Sequence, residues 1–413
     1  MRTRRWQRGA ALPAVARAAV AVVVPALVLT GCTGSTSGGA TPSSDPSVSS
    51  VGPEPVSALA DVELPLPAAS SAKLGGAKAL QAVIDGVVAD SATLNSGVLG
   101  VTAAVVSAEG TWAGAAGKDG AGQALRPDTV LALGSITKTA VAAEVVHLAA
   151  TGRLDLDKPA SNYLSSPLLK KKPTVRQLLS MRSGIPEFDG RLLSDARRRP
   201  TKVWSAREAL GYVPDGDLQP PGGAYQYATS NYWLLGLLIE KVTGKAWAAA
   251  VGADVLGASS GLALQARDGE RPSGRLAAPS PALGDRPDGE YVPNAGLASI
   301  AGAGGAMAGT ALATARYGYG LYGGRTLPVK QVRELATAPD DTAGYGLGTG
   351  IKDRDGDVSV GHQGDIPTFL NDLEVIPQRK LSVALLMVVD PTVTPEPDPS
   401  VYTAELVRAL GAG

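Results

Sequence analysis

Hydrophobic residues follow two different spacings in the first part of the chain that has a regular pattern. Between Ala72 and Ala89 they recur mostly three or four residues apart, at Leu74, Leu80, Val83, Ile84 and Val87. This spacing predicts an amphipathic helix. The segment Val98–Val106 is instead continuously apolar and rich in β-branched residues, and a second run through Trp112 follows Gly110. These two runs predict the strands of a β-hairpin.

The last third of the chain is again typical of strands. Apolar or alternating runs predict strands at Tyr345–Ile351, Val358–Gly361, Phe369–Ile376 and Leu381–Val389, followed by a closing helix at Pro399–Leu410. Residues 155 to 320 mix short helical patterns with Pro- and Gly-rich loops. We therefore expect an α+β fold, in which strands from both ends of the chain form one antiparallel sheet flanked by helices. A mostly helical subdomain is inserted at about residues 155–310.

The N-terminus has the pattern of an export signal. Four arginines precede residue 9, an apolar run extends from Ala18 to Leu29, and the sequence Leu29-Thr30-Gly31-Cys32 follows. The apolar run is shorter than the roughly 20 residues that a membrane-spanning helix needs. The last four residues resemble a bacterial lipobox, which implies cleavage after residue 31 and lipidation of Cys32. The alternative is an ordinary signal peptide with an incidental cysteine.

Composition divides the rest of the chain into a tether and a folded domain. Residues 33 to about 57 are rich in Ser, Thr, Gly and Pro, which predicts a flexible segment without a core. We place the lipidated cysteine and tether at residues 32–70 and the folded domain at 71–413. The chain carries 38 basic and 38 acidic residues, a balance that gives no electrostatic indication of nucleic-acid binding. Its single cysteine excludes an intramolecular disulfide.

A serine and a lysine at helical spacing are the first candidates for chemistry. Ser135 and Lys138 lie three residues apart at the start of a predicted helix that extends to Ala150. Residues at this spacing share one helix face, so the amine can reach the hydroxyl and activate it as a nucleophile. The motif alone is weak, because Ser70 and Lys73 have the same spacing. A capping serine beside a solvated lysine is the alternative for the motif by itself.

Further motifs in the same order make the pattern specific. The chain resembles class C β-lactamases and D-alanyl-D-alanine carboxypeptidases from about residue 75 to 410. The resemblance rests on Leu133-Gly134-Ser135-Ile136-Thr137-Lys138-Thr139, Thr151-Gly152-Arg153-Leu154-Asp155-Leu156-Asp157, Thr174 to Ile185, Pro221 to Tyr227, Asn231 to Gly236, Gly304-Gly305-Ala306-Met307 and His362-Gln363-Gly364. It implies a β-lactamase/transpeptidase-like fold and an acyl-enzyme on Ser135, without a cofactor.

The resemblance also implies roles for individual residues. Tyr227 heads the motif Tyr-x-Asn and is expected to shuttle the proton of Ser135, in surroundings that favour the phenolate. Tyr225 and Tyr232 are expected to be packing residues. The backbone N–H groups of Ser135 and of Asp365, which follows Gly364, are expected to form the oxyanion hole.

Three positions depart from the family pattern. Thr229 occupies the place of the motif's Asn, Gln363 replaces a Thr or Ser, and Asp365 adds a carboxylate directly after the motif. In the carboxypeptidases, the hydroxyl of the Thr or Ser that Gln363 replaces holds the substrate carboxylate. The missing hydroxyl and the added charge of Asp365 therefore favour a neutral ester or amide as substrate. His362 in place of Lys favours the carboxypeptidase and esterase branches over true β-lactamases.

Other catalytic constellations fit the sequence less well. His147 lies 12 residues after Ser135, about 18 Å along a helix, and cannot be its base. Gly257-Ala258-Ser259-Ser260-Gly261 matches a nucleophile-elbow pattern upstream of His362, but no convincing strand precedes it. The two histidines and one cysteine offer no credible zinc site, and the chain has no phosphate-binding loop of the Gly-Lys-Ser/Thr type.

The sequence therefore predicts a serine acyl hydrolase tethered by lipid to the outer face of the cytoplasmic membrane. D-alanyl-D-alanine carboxypeptidase-like hydrolysis of peptidoglycan stem peptides is the leading expectation. An esterase or amidase acting on small neutral acyl substrates is the alternative in chemistry. A non-catalytic lipoprotein that binds peptidoglycan or a partner protein is the alternative from another class. No metal and no nucleic-acid partner are expected.

Overall fold

A six-stranded antiparallel sheet organises the fold. The computed structural model describes residues 57–199, 202–257, 260–264, 275, 277–278, 295–339, 344–394 and 396–411. The strands lie in the order β2-β1-β9-β8-β7-β6. Their bounds are β1 Val98–Ser107, β2 Thr111–Gly117, β6 Gly350–Arg354, β7 Asp357–Ile366, β8 Phe369–Ile376 and β9 Leu381–Val389. Strands from both ends of the chain thus pair directly, as predicted.

The central strands are apolar on both sides because both faces of the sheet are covered. All nine residues of β9 are buried. Its odd-numbered residues pack with the terminal helices α1 (Ala77–Leu94) and α11 (Pro399–Gly411). Even-numbered residues such as Ala384 and Leu386 belong to the larger core on the opposite face. This alternation fixes the register, since a slip of one residue would exchange the two faces.

The inserted region is mostly helical, as expected, and includes a small second sheet. The two-residue strands β3 (Leu131–Ala132) and β4 (Ala263–Leu264) flank β5 (Met307–Gly309). The remaining helices are α2 Thr137–Ala150, α3 Val175–Leu179, α4 Arg191–Arg198, α5 Ala206–Leu210, α6 Ser230–Thr243, α7 Trp247–Val251, α8 Ala295–Gly305, α9 Ala311–Tyr322 and α10 Val329–Leu335. Helix α2 is buried along almost its whole length, which explains its apolar sequence.

The folded domain begins earlier than the sequence predicts. Leu59, Val62 and Leu66 are at most 7% exposed, and the Leu66 N–H donates to the Gly323 carbonyl at 2.8 Å. The predicted tether over residues 32–70 is therefore wrong from residue 57 onward. A few apolar side chains among Ser and Pro are enough to anchor this segment. The predicted signal peptide (1–31), Cys32 and the rest of the tether lie outside the described residues.

Two element boundaries also differ from prediction for local reasons. The first helix begins at Ala77 rather than Ala72, because Gly76 has a left-handed φ of 72° and Lys73 bridges to Thr111. The strand expected at Tyr345–Ile351 begins only at Gly350. Gly344 and Gly348 have φ values of 57° and 63°, which interrupt an extended chain. In the described part of the chain no helix is both long enough and apolar enough to cross a bilayer.

Candidate active site

Ser135 and Lys138 meet at the start of α2, as their spacing predicts. Ser135 lies in a 3₁₀ turn, Gly134–Ile136, that continues directly into the helix. The Lys138 ammonium nitrogen donates to Ser135 Oγ at 2.9 Å and to the Gly304 carbonyl at 2.8 Å. Lys138 is 0% exposed. The two hydrogen bonds therefore fix a buried amine against the hydroxyl.

The turn that carries Ser135 is held from three sides. Gly134 has a φ of +55°, and Asp365 backbone atoms lie where its side chain would begin. Thr137 Oγ1 donates to the Gly134 carbonyl at 2.7 Å and accepts from the Met307 N–H at 2.9 Å. Asn371 on β8 donates to the Ala132 carbonyl at 3.0 Å. The nucleophile turn is thus tied to both sheets.

Burial gives Lys138 an unusual protonation equilibrium. Desolvation lowers its pKa to about 7, although the carboxylates of Glu187 and Asp365 oppose this shift. A substantial fraction of the amine is therefore neutral at neutral pH. A neutral amine 2.9 Å from the hydroxyl can accept its proton, which an ordinary lysine cannot do at this pH.

Tyr227 lies beside this pair but is not a phenolate. Its ring centre is 5.0 Å from the Lys138 nitrogen, and its hydroxyl interacts with Ser135. Although 38% of the residue is exposed, burial of the phenol raises its pKa, and Glu187 and Asp365 raise it further. The expectation that the surroundings favour the phenolate is wrong, because acidic groups face the phenol and Lys138 is desolvated. The raised pKa favours the neutral phenol, which is able to donate a proton.

The other two tyrosines pack as expected. Tyr232 is fully buried, and its hydroxyl donates to the Leu179 carbonyl at 3.1 Å. The ring of Tyr225 packs against Tyr345 with centroids 5.4 Å apart.

The strand β7 brings the third motif against the nucleophile turn. A Cβ on Gly364 would overlap the carbonyl of Leu133, so this approach requires glycine. Strand β6 begins at Gly350, opposite Gly361, so within the described residues the part of β7 beyond Gly361 pairs with β8 alone. The backbone from His362 to Asp365 consequently borders the pocket next to Ser135. This is the arrangement that the predicted oxyanion hole of Ser135 and Asp365 requires.

His362 is held neutral. Its Nδ1 contacts the carbonyl of Gln363, which can only accept, so Nδ1 carries the proton. Its Nε2 must then accept from the Tyr345 hydroxyl at 3.0 Å. Burial lowers the pKa of His362 to about 3, and the positive charges of Lys138 and Lys352 lower it further. His362 therefore offers no positive charge to a substrate carboxylate.

The three residues that depart from the family pattern, Thr229, Gln363 and Asp365, all lie at the site. The Thr229 N–H donates to the Glu187 carboxylate at the start of α6. Gln363 Nε2 donates to Asp398 Oδ1 at 2.8 Å. The pKa of Asp365 is raised by burial and by Glu396, while Lys138 opposes the shift.

Two basic residues, Lys352 and Arg316, do not pair with Asp365. Lys352 lines the pocket but pairs with Glu374 at 3.1 Å and Asp372 at 3.5 Å. Arg316 lines a different depression, next to Thr310 and Thr326. The active-site pocket has a volume of about 610 Å³ and contains Ser135, Tyr227, Thr229, His362, Gln363 and Asp365, and among its charged lining residues Asp365 has no ion-pair partner within the described residues.

Three residues at the site, Glu187, Tyr345 and Asn371, are not predicted from the sequence. Glu187 follows the recognised turn Ser183-Gly184-Ile185, but a single acidic residue there has no distinctive pattern. Tyr345 was assigned to a strand, and Asn371 is indistinguishable from other polar residues of β8. His147 lies in the last turn of α2, away from Ser135 as expected. Ser259 lies outside the described residues, within which no cluster of metal-ligating side chains occurs.

Comparisons with known proteins agree with this geometry. The beta-lactamase family model matches residues 80–407. Esterase EstB of Burkholderia gladioli is 31% identical over 153 residues, which cover 32% of this chain and 37% of the esterase. The chain thus matches little more than a third of that relative's length.

Solved structures align more completely. D-amino acid amidase from Ochrobactrum anthropi SV3 aligns over 82% of this chain and 99% of its own, with 22% identity and a TM-score of 0.69. A D-stereospecific amidohydrolase from Streptomyces sp. aligns over 81% and 98%, with 25% identity and a TM-score of 0.64. These likenesses show a shared fold.

Proposed function

Because this chain belongs to the beta-lactamase family of serine hydrolases, we propose that it cleaves small esters or amides without a terminal carboxylate through an acyl-Ser135 intermediate. The Ser135–Lys138 contact at 2.9 Å supports the nucleophile and its base. The names of similar proteins, an esterase and two amide hydrolases, agree with this reaction class. We also propose that the enzyme acts in the cell envelope, tethered by Cys32.

The mechanism follows from the protonation states of the two neighbours of Ser135. Neutral Lys138 accepts the hydroxyl proton as Ser135 Oγ forms a bond with the substrate carbonyl carbon. The N–H groups of Ser135 and Asp365 stabilise the resulting oxyanion. Tyr227 donates its proton to the leaving oxygen or nitrogen as that bond breaks, and the Lys138 ammonium reprotonates it. Water then attacks the acyl group by the reverse sequence of proton transfers.

The position of Asp365 beside the nucleophile turn carries the substrate assignment. Asp365 borders Ser135, Gln363 is engaged with Asp398, and His362 is neutral. At about 5 Å and an effective dielectric near 20, a substrate carboxylate and Asp365 repel by roughly 3 kcal/mol. This corresponds to about a hundredfold loss in kcat/KM relative to a neutral substrate of similar size.

The pocket contains one feature that favours the carboxypeptidase alternative. Lys352 lines the pocket and would attract the terminal carboxylate of a stem peptide if it left its acidic partners. The two functions are separated by comparing a short-chain nitrophenyl ester with a D-Ala-D-Ala peptide. We expect the wild type to prefer the ester, and Gln363→Thr with Asp365→Gly to shift the ratio toward the peptide. Strong peptide hydrolysis that the double substitution leaves unchanged would refute the substrate assignment.

Active-site labelling tests the reaction itself. A fluorescent phosphonate should label the wild type, and Ser135→Ala should abolish the label and lower kcat about a thousandfold or more. Ser183→Ala provides a control at another buried serine. Equal labelling of the Ser135→Ala protein would contradict the assignment of Ser135 as the nucleophile. Ser259 would then be the next serine to test. A wild type that is neither labelled nor active would favour the non-catalytic lipoprotein.

A further inference from the structure

Two carboxylates approach the nucleophile from different elements. Asp365 is on β7, and Glu187 lies in the loop that precedes α4. Both carboxylates act electrostatically on the Lys138 amine and on the Tyr227 phenol, the two groups that contact Ser135. Within the described residues neither Asp365 nor Glu187 forms a salt bridge. The carbonyl that Ser135 attacks therefore lies close to two negative charges, which the partly neutral Lys138 offsets only in part.

Asp365 is accessible to a bound molecule. It lines the active-site pocket and can be reached from solvent. Its backbone is held against Gly134, so the side chain starts beside the nucleophile turn. Lys352 lines the same pocket but pairs with Glu374 at 3.1 Å. A positively charged group of a substrate can therefore pair with Asp365 without displacing another partner.

Thr229 presents a second acceptor to the same pocket. Glu187 accepts from the N–H groups of Thr229 and Phe188, the latter at 3.3 Å, and these bonds stabilise its ionised form against desolvation. The Glu187 carboxylate also interacts with the Thr229 hydroxyl. An ionised carboxylate can only accept, so the hydroxyl hydrogen points to Glu187 and Thr229 Oγ1 is left as an acceptor. The Thr229 methyl group packs against Gly304, where a Cβ would lie 2.4 Å from it, and this contact restrains rotation of the side chain.

A protonated amine satisfies both of these acceptors. An ammonium carries several N–H donors and a positive charge, whereas a hydroxyl or an amide N–H supplies a donor without the charge. Because Asp365 and Thr229 both line the pocket that contains Ser135, the ammonium must lie only a few bonds from the carbonyl that Ser135 attacks. The α-amino group of an amino acid ester or amide has this position, since a single carbon atom separates it from the carbonyl.

We propose that the substrates are amino acid esters and amides with a free, protonated α-amino group. The ammonium pairs with the Asp365 carboxylate and donates to Thr229 Oγ1, while Glu187 orients that oxygen. Asp365 and Thr229 then determine specificity, and Glu187 is a positioning residue. An Asn in place of Thr229 would present N–H donors as well as an acceptor, so Thr229 beside Glu187 selects more strictly for an ammonium. This substrate class rests on the proposed hydrolase function.

Substrates that differ only in the amino group measure the contribution of the ammonium. The nitroanilides of phenylalanine, in both D and L forms, are compared with the nitroanilide of phenylpropanoic acid. An α-amino group has a pKa of about 7.7–8.0, so it is mostly protonated at about pH 7. The wild-type kcat/KM should be about tenfold or more higher for at least one form of the phenylalanine substrate. The N-acetylated phenylalanine nitroanilide keeps an N–H without the charge and should lose this advantage.

Isosteric variants test the two specificity-determining residues. Asp365→Asn removes the charge, and Thr229→Val removes the hydroxyl but keeps a methyl group against Gly304. Asp365→Asn should lower the ratio of kcat/KM for the amino and des-amino substrates about tenfold, and Thr229→Val about threefold. Thr229→Ser should restore the ratio. The exposed Asp90→Asn on α1 is the control and should keep the wild-type ratio.

The outcomes separate this substrate class from the hydrolase function itself. A wild type that cleaves the amino and des-amino substrates equally well would overturn the ammonium site and leave the hydrolase function intact. A high ratio that Asp365→Asn and Thr229→Val both leave unchanged would also overturn the site. A protein that the phosphonate labels but that cleaves neither nitroanilide would overturn the substrate class alone. A protein that neither reacts with the phosphonate nor cleaves any of these substrates would overturn both.

Discussion

Lys138 shows how the surroundings of one residue determine its chemistry. The amine is fully buried, and it donates to a hydroxyl and a backbone carbonyl. Desolvation is then the largest influence on its pKa and brings it to about 7. A lysine in this state serves as a base without the help of histidine. The two histidines of the chain are accordingly not needed as proton acceptors for Ser135.

The pH dependence of activity should therefore follow Lys138. Below its pKa the amine is protonated, so kcat/KM should rise about tenfold per pH unit and level off above about pH 7. Glu187 raises the pKa of Lys138, so Glu187→Gln should lower that pKa and move the acidic limb to lower pH. The exposed Glu109→Gln is the control. An acidic limb that stays in place in Glu187→Gln would contradict this assignment.

Tyr227 should act as an acid and not as a base. Tyr227→Phe removes the hydroxyl but keeps the ring that Lys138 contacts, and acylation should slow by about 10² to 10⁴-fold. Because the pKa of Tyr227 is raised, the wild-type rate should show no fall from phenol ionisation between pH 8 and 10. Tyr225→Phe should change activity little. Stopped-flow acylation with a nitrophenyl ester measures both effects, and a fully active Tyr227→Phe enzyme would exclude the role.

Glu144 is a buried acid that should make the free energy of unfolding depend on pH. It is 0% exposed on α2, and within the described residues neither carboxylate oxygen has a hydrogen-bond partner. Burial, and secondarily Asp254, raises its pKa to about 7. The folded state then holds a proton that the unfolded state loses above about pH 4.5, so Glu144 reduces the free energy of unfolding as pH rises toward 7.

Replacement of Glu144 by an apolar residue of similar size should remove this effect. Glu144→Met should raise the free energy of unfolding at pH 8 by about 1–3 kcal/mol, and by less at pH 5. Urea denaturation at both pH values measures the difference, with the exposed Glu405→Gln as control. A gain that is equal at both pH values would show that packing, and not the charge, causes it.

At the scale of elements, the close approach of β7 to the nucleophile turn determines the site. Gly364→Ala places a Cβ on the Leu133 carbonyl, a backbone atom that cannot rotate away. Strand β7 must then move from Ser135, and kcat/KM should fall about a hundredfold or more as the oxyanion donors separate. Gly350→Ala on β6 meets its nearest atom at 3.5 Å and should be nearly neutral. Near-wild-type kinetics of Gly364→Ala would show that this contact is not critical.

The elements themselves were predictable to different degrees. Strands β8 and β9 have the predicted bounds, because both strands begin and end on buried apolar residues. The start of strand β6 is predicted too early, because Gly344 and Gly348 turn the chain at positive φ, which the apolar residues around them do not indicate. The start of the first helix was likewise displaced by Gly76.

At the scale of the whole molecule, attachment to the membrane is the remaining prediction. Cys32→Ala should block incorporation of radiolabelled palmitate and leave the precursor uncleaved by the lipoprotein peptidase. Cell fractionation should then find less of the protein with the membrane. Cys32 is the sole cysteine of the chain, so any remaining palmitate on the variant would require another kind of residue. Normal labelling of Cys32→Ala would refute lipidation at this position.

The sequence alone is enough to predict the fold class, the presence of strands near both ends of the chain and the Ser135–Lys138 pair. These features depend on hydrophobic periodicity and on a three-residue helical spacing, both of which are local. The tertiary structure decided the protonation states of Lys138, Tyr227 and His362, because burial depends on what packs around each group. It also decided that Gln363 binds Asp398, 35 residues away, and that Leu59 belongs to the core. Contacts between residues far apart in the chain leave no periodic signal. The charge states of the groups around the pocket therefore could not be predicted from the sequence alone.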